Sequence, residues 1–560
     1  MIENNEQFSG GTVSGVEIAH KRKKGPIIAG ICAVAAVAVV GGSVLTYNLS
    51  DYVKNKVKLA TLKPDKYYSW VCEKSSDEFA DEISEEYSNY LELLEKGFTS
   101  KVAVEYEASD DVKDTILESL LGSGYRRSSS EETQQIINVV DNLDTVEVGI
   151  NMARKNTSLM GQIYGTLNDE KLLTVDVGMD MDDLNCFLRV PELTEKWLGI
   201  DISEMSYGLT DSDEYALAQD IFENPSAYIS PSELSSFIKR YANVWNKSVE
   251  DVTLHKNQKV SVGDIQPEFT VITSEITGDK GLEIAKKMVN TAKNDDFLKN
   301  LIVNKLDVCD KSDYNDVMEW DDILDEIEDA QNDGDFDDEV CTVITFIDQR
   351  GDIRGFKITI DDEYELKLVT GADGDNIAAE FYFTDYYYTE IDAELNAVNS
   401  GDTYTGQLTI EAEDYSDDFD VEVDFKNLQI VDKEKGYVNG AVKITSSMLD
   451  GEDIVLQLST DGSTQKISYE LDIDGDDYGT ISFVYGMTEG AKASLPDDDD
   501  VYMVDDYFDI EEYVDEDDVY SFIEELMTKI GLSSDYAEYI AEEISDEIYG
   551  DLDYDMYSYY

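Results

Sequence analysis

The sequence predicts an α+β fold: an N-terminal transmembrane helix, then an ectodomain of helices packed on long curved antiparallel β-meanders. Three observations predict it. An uncharged apolar run follows a block of four cations near the start. Apolar residues recur at three- and four-residue spacing after residue 76. Alternation with a period of two then fills most of residues 340–490, with no helix between the strands.

The first element is residues 25–47, preceded by Lys21, Arg22, Lys23 and Lys24. About 20 apolar residues at ~1.5 Å each cross a hydrocarbon core of ~30 Å. The four cations belong on the inner side of such a span. The reading is a cytoplasmic tail over residues 1–24, a transmembrane helix over 25–47 and an extracellular C-terminal domain: a single-pass protein of the cell membrane. A cleaved secretory signal fits less well. Its apolar core runs roughly 7–15 residues, and here Ala33-Val34-Ala35 and Ala36-Val37-Ala38 lie inside the run, not after it.

Charge sets the next bound. The chain has 124 acidic residues against 43 basic ones, a net charge of −81. Nucleic acid is excluded as a partner, because that affinity rests on neutralising phosphates with Lys and Arg. At 42% hydrophobic and 10% aromatic, the chain is too rich in core residues for a disordered acidic one. Beyond the apolar run lie Cys72, Cys186, Cys309 and Cys341, and four cysteines allow three connectivities. Cys309–Cys341 is the favoured pair because the two bracket an acidic insert; four unpaired thiols is the alternative. With only His20 and His255, histidine-based catalysis has little to work with.

Residues 48–75 read as a polar lead-in with a turn at Lys63-Pro64-Asp65. A first α+β unit follows over 76–305. Its opening helix, Ser76 to Gly97, puts Phe79, Ile83, Tyr87, Tyr90, Leu91 and Leu94 on one face. Helices around Val112–Leu121 and Glu132–Leu143 come next. Then Val146, Val148 and Ile150 share one strand face, as do Leu173, Val175 and Val177 beyond the Asn168-Asp169 turn. Residues 212–248 return to helix, with Pro231-Ser232-Glu233 opening the second segment. Strands near Val260 and at Phe269–Ile272 lead into a helix from Gly281 to Val303. An acidic helical insert fills 306–339, carrying Val317, Trp320, Ile323, Leu324 and Ile327. The antiparallel meander unit spans 340–490, its turns marked at Asp348–Gly351, Gly371–Asp375, Ser400-Gly401, Glu434–Gly436, Asp461-Gly462 and Asp474-Gly475. Acidic C-terminal helices and a tail occupy 491–560.

The constellations that carry chemistry are weak. Asp472, Asp474 and Asp476 have the 1-3-5 spacing of a calcium loop, but Asp477 and Phe483 stand where Gly and a bidentate Glu belong. Asp333, Asp335, Asp337, Asp338 and Glu339, and the run Asp497–Asp500, are further acidic clusters without a terminal ligand. Calcium stays open and unplaced, so the metal site is unknown. No catalytic and no cofactor-binding residue is nominated: there is no GxSxG, P-loop or dinucleotide fingerprint. Phe381 and Phe383 share a strand face with Tyr382 opposite. Tyr386 and Tyr388 share another with Tyr387 opposite; packing against helices and cross-strand neighbours is the favoured reading of these rings, and stacking on sugars or lining an apolar groove the alternative.

The order of anchor, Tyr67-Tyr68-Ser69-Trp70-Val71, acidic helix and Phe187-Leu188-Arg189-Val190-Pro191-Glu192-Leu193 resembles uncharacterised single-pass membrane-anchored ectodomain proteins of Gram-positive gut Clostridia. No activity comes with the resemblance. In architecture alone, helices with a long meander are similar to the curved half-barrels of lipoprotein carriers, with the chain open to division into two such units. The functional expectation is a non-catalytic, membrane-anchored surface protein, held by residues 25–47, that binds an envelope ligand or a protein partner. The alternatives are a carrier or sensor of an apolar molecule in a curved sheet, and an extracellular hydrolase.

Overall fold

The computed structural model describes residues 49–555, apart from 123–129, 183, 203–212, 335–339, 362–363, 386–388, 414–417, 434, 450–452, 474–475, 492 and 505–512. Among the described residues the longer helices are α1 Leu49–Thr61, α2 Pro64–Lys96, α3 Asp110–Leu121, α4 Glu131–Asp141, α5 Asp213–Glu223, α6 Pro231–Ser248, α7 Gly278–Lys293, α8 Trp320–Asp333, α9 Glu516–Lys529 and α10 Ser534–Asp555. The strands are β1 Phe98–Glu107, β2 Thr145–Lys155, β3 Ser158–Leu167, β4 Glu170–Asp180, β5 Asn185–Arg189, β6 Trp197–Asp201, β7 Thr253–Lys259, β8 Glu268–Thr277, β9 Val340–Ile347 and β10 Ile353–Ile360. They continue as β11 Tyr364–Asp373, β12 Asn376–Thr384, β13 Glu390–Asn399, β14 Thr403–Glu413, β15 Asp418–Asp432, β16 Tyr437–Ser446, β17 Ile454–Asp461, β18 Thr464–Ile473, β19 Asp476–Glu489 and β20 Val501–Met503.

These strands form one 20-stranded sheet. From β7 to β19 each strand pairs antiparallel with the next. β19 then pairs with β1, and β1 to β6 continue the series. Only β20 is parallel, against β6. The β1–β19 ladder merges the N-terminal meander with the C-terminal one, so the described strands are not two separate half-barrels. The anticipated turns at Asp348–Gly351, Ser400-Gly401 and Asp461-Gly462 fall between paired strands, Gly374 and Asp375 make the turn within Gly371–Asp375, and Glu434, Asp474 and Gly475 lie outside the described residues. Gly374 and Gly462, at φ +63° and +59°, occupy hairpin tips that an L side chain adopts only under strain.

The register puts an apolar row on one face of the sheet, here the inner face. At the β7–β11 end helices seal it. Tyr67, Tyr68, Val71 and Cys72 of α2, Trp245 of α6 and Leu282 and Ile284 of α7 pack on Ile272, Val343, Phe356, Ile358 and Ile360. α2 begins earlier than the spacing predicts. Pro64 needs no donor at a first helical position, and Tyr67, Tyr68 and Val71 add a fully buried turn to what reads as a polar lead-in. α6 starts at the predicted Pro231, behind a capping box of Ser230 and Glu233.

α2 also shows that the sheet is bowed. Lys74 pairs with Asp352 at the start of β10, and Leu91, Leu94 and Glu95 line a hollow with Arg154 of β2. Between Lys74 and Leu94 the helix advances about 30 Å at 1.5 Å per residue. Eleven strand-to-strand steps separate β10 from β2, or about 53 Å at ~4.8 Å each. A path that long spanned by a chord that short means the sheet curves around the helical side.

Two expectations are corrected. The span assigned to residues 25–47 lies outside the described residues, as does the tail over 1–24. Among the described residues no helix is long and apolar enough to cross a membrane. The longest, α2, carries Asp and Glu along its length and has an apolar face only on one side. The transmembrane helix, the single-pass description and the cell-membrane localisation are therefore withdrawn. The favoured Cys309–Cys341 disulfide is not formed either: Cys341 is buried on β9 within the main core, whereas Cys309 is half-exposed after the helical turns that follow α7.

Candidate functional site: an open apolar sheet face

The inner face continues past its helical cover. On β19 it carries Ile481, Phe483 and Met487; on β1, Val102 and Val104; on β2, Val148, Ile150 and Met152. On β3 it carries Ile163, on β4 Leu173, on β5 Leu188 and on β6 Ile200. Each of these twelve side chains is 37–57% exposed. The ladders place them in cross-strand rows. One runs Phe483, Val104, Val148, Gly165, Leu173. The next runs Tyr485, Val102, Ile150, Ile163, Val175, and another Met487, Ser100, Met152, Gly161, Val177, Leu188, Leu198. Seven strands and these rows cover about 29 Å by about 20 Å, on the order of 600 Å². That is the top of the ~300–600 Å² range for the largest apolar patch of a typical monomer.

Part of this face is a groove of about 580 Å³, lined by Phe98, Ile150, Met152, Leu159, Ile163, Val177, Met179, Cys186, Leu188, Leu198 and Ile200 among others. Two helical rims flank the strands. At the Arg154 end stand the C-terminal part of α2 and α5, where Gln219 Nε2 donates to Met181 O at 3.3 Å. At the other end α4 and α9 meet the β1–β2 and β3–β4 connections, Asn142 Nδ2 donating to Lys529 O at 2.9 Å and Lys529 Nζ to Lys171 O at 2.8 Å.

The opposite face is ionic, which fixes the one that is left apolar, since a one-residue slip would exchange them. Lys101 pairs with Glu147 at 2.9 Å, the Tyr164 hydroxyl donates to Glu147, and Lys466 pairs with Glu105. Burial works against ionisation of Glu147, but Tyr164 and Lys101 outweigh it and hold the carboxyl below its usual range. A Cβ on Gly149 would lie 2.5 Å from Tyr164 Oη, so the ring lies over the glycine and locks β2 to β3. Gln162 and Arg189 both donate to Asp176, at 2.9 and 2.7 Å, with Arg189 over the Trp197 ring at 4.4 Å.

Among the described residues Arg154 is the one charged residue lining the apolar groove. Its Nη2 donates to Phe222 O at 3.0 Å and its Nε to Asn156 O at 3.5 Å, with the guanidinium 3.6 Å from the Phe222 ring centre. Burial pulls its pKa down. Arg189, Arg240, Arg350 and Arg354 all pair with carboxylates. Among the described residues Arg154 has no such partner.

Of the residues singled out in the sequence, Val148, Ile150, Leu173, Val175 and Val177 come together on this face. Phe381 and Phe383 lie farther along the same inner face, opposite Leu368 and Leu366, with Tyr382 on the other side. Tyr386, Tyr387 and Tyr388 lie outside the described residues. So do Asp474 and the cluster 335–339; Asp472 and Asp477 face each other across the β18–β19 hairpin. Among the described residues no three His, Cys, Asp or Glu side chains are grouped to hold a metal. His255 is exposed on the edge strand β7. Sequence reasoning missed β1, although Val102, Val104 and Tyr106 alternate, and it missed Arg154 altogether. No protein family, curated protein or solved structure matches the chain.

Proposed function

We propose that this protein is a non-catalytic binder of an apolar molecule, held on the open inner face of β19 and β1–β6. The observation that carries the reading is the run of twelve large apolar side chains left exposed on one face of a sheet whose other face is ionic. Exposed apolar area of this size is costly in water at ~25 cal/mol per Å² and is retained where it meets a ligand. Bowing makes the face concave, which suits an enclosed small molecule better than a broad protein surface. Among the described residues, this groove lining brings together no carboxylate pair and no histidine, which favours binding over hydrolysis at this face.

Native mass spectrometry of the full chain, purified without denaturant, tests this. The expected result is a reproducible bound mass that organic extraction removes and that Ile163→Glu abolishes, because a carboxylate on the groove floor cannot be buried under an apolar ligand. A bare chain, refilled by no apolar compound, overturns the reading.

A further inference from the structure

The groove has a polar end, and it is Arg154. The ladders put this residue at the head of a cross-strand row: Arg154 faces Leu159, Leu159 faces Met179, Met179 faces Cys186 and Cys186 faces Ile200. The row is apolar from Leu159 onward and about 19 Å long, at four steps of ~4.8 Å.

We propose that the ligand is a fatty acid, its carboxylate on Arg154 and its chain along the row toward Ile200. This rests on the reading of the face as an apolar binding site and adds the chemistry of the head group. The guanidinium has five donors, and contacts to Phe222 O and Asn156 O occupy two of its nitrogens. Nη1 is left without a protein acceptor among the described residues. Stacking on Phe222 holds the guanidinium plane, so little side-chain entropy is lost when a carboxylate arrives. In a chain of net charge −81, an arginine that forms no ion pair among the described residues is a place kept for an anion from outside. Glu92, Glu95 and Glu223, which line a hollow together with Arg154, favour a head group with a single negative charge over one with two. Repulsion from more distant carboxylates is damped beyond ~8 Å at physiological salt.

The test is displacement of Nile red, a neutral apolar dye, from the full chain by dodecanoate and by dodecanol. The native chain is expected to bind the acid roughly tenfold or more tightly than the alcohol, the size of one charge-assisted hydrogen-bond pair. Arg154→Gln should erase that preference, with an unchanged circular dichroism spectrum and melting temperature showing that the variant is folded. Arg154→Lys should restore part of the preference. Equal binding of acid and alcohol by the native chain overturns the head-group assignment and leaves the apolar site standing. An acid preference that survives in Arg154→Gln overturns it as well. Failure of the chain to bind the dye or either compound sinks the apolar site, and the head-group assignment falls with it.

Discussion

Two stretches of one sheet face meet opposite fates. At the β8–β10 end Phe356 and Ile358 are 4% exposed beneath α2, α6 and α7. At the β1–β3 end Val148 and Met152 are 57% and 51% exposed, with the same alternation and the same residue types. The difference lies in the cover, not in the strands. A sealed face contributes stability and an open one contributes a site, so mutations in the two stretches should fail in different ways.

The largest expected contrast is in stability. Phe356→Ala should cost about 3–5 kcal/mol in denaturant unfolding, by lost transfer energy and the cavity left behind. Val148→Ala should cost under about 1 kcal/mol, because its side chain is already half in water. Equal costs would break the comparison by showing that the open stretch is packed in solution.

A second contrast comes from the two thiols. Burial pushes the Cys72 thiol up to about 12 from its ordinary 9.0, against a hydrogen bond with Tyr68 that pulls it down. The raised value belongs to the folded state. Its contribution is therefore whole below pH 9 and is lost as pH rises through about 12. Cys72→Ala should flatten that part of the alkaline stability curve, and Cys72 should resist alkylation at pH 8 while half-exposed Cys186 reacts. Rapid labelling of Cys72 would mean that the helical cover opens.

Smaller effects probe the cover itself. Ser230→Ala removes one side of the box that starts α6 and should cost about 1 kcal/mol by thermal or denaturant unfolding. Glu283 of α7 is held at about 2 by hydrogen bonds from Lys280 and Lys287. That contribution is present above the ordinary carboxylate range and lost as pH falls toward 2. The carboxylate is 47% exposed, so solvent screening should hold the effect of Glu283→Gln to a few tenths of a kcal/mol.

The strand alternation and the turn residues made the meander legible, and they put Val146, Val148 and Ile150 on one face before any fold was known. They did not reveal whether a helix lies over that face, because covered Val343 and open Val148 have the same local pattern. The join between Val104 of β1 and Phe483 of β19 is set by pairing across most of the chain, which periodicity does not record. Arg154 escaped notice for a related reason: it reads as an ordinary strand-end cation, and the lack of an ion pair to it among the described residues exists only in three dimensions. Residues 48–75 read as a polar lead-in because Tyr67, Tyr68 and Val71 sit among lysines, and the core that buries these three exists only in the fold.

The most direct test is the alkylation rate of each cysteine in the full chain at pH 8, with and without saturating dodecanol. Cys186 lines the groove and Cys309 does not. The account predicts that the alcohol slows labelling of Cys186 severalfold and leaves Cys309 unchanged. An unchanged rate at Cys186, or equal slowing at both, would contradict a ligand seated on the open face.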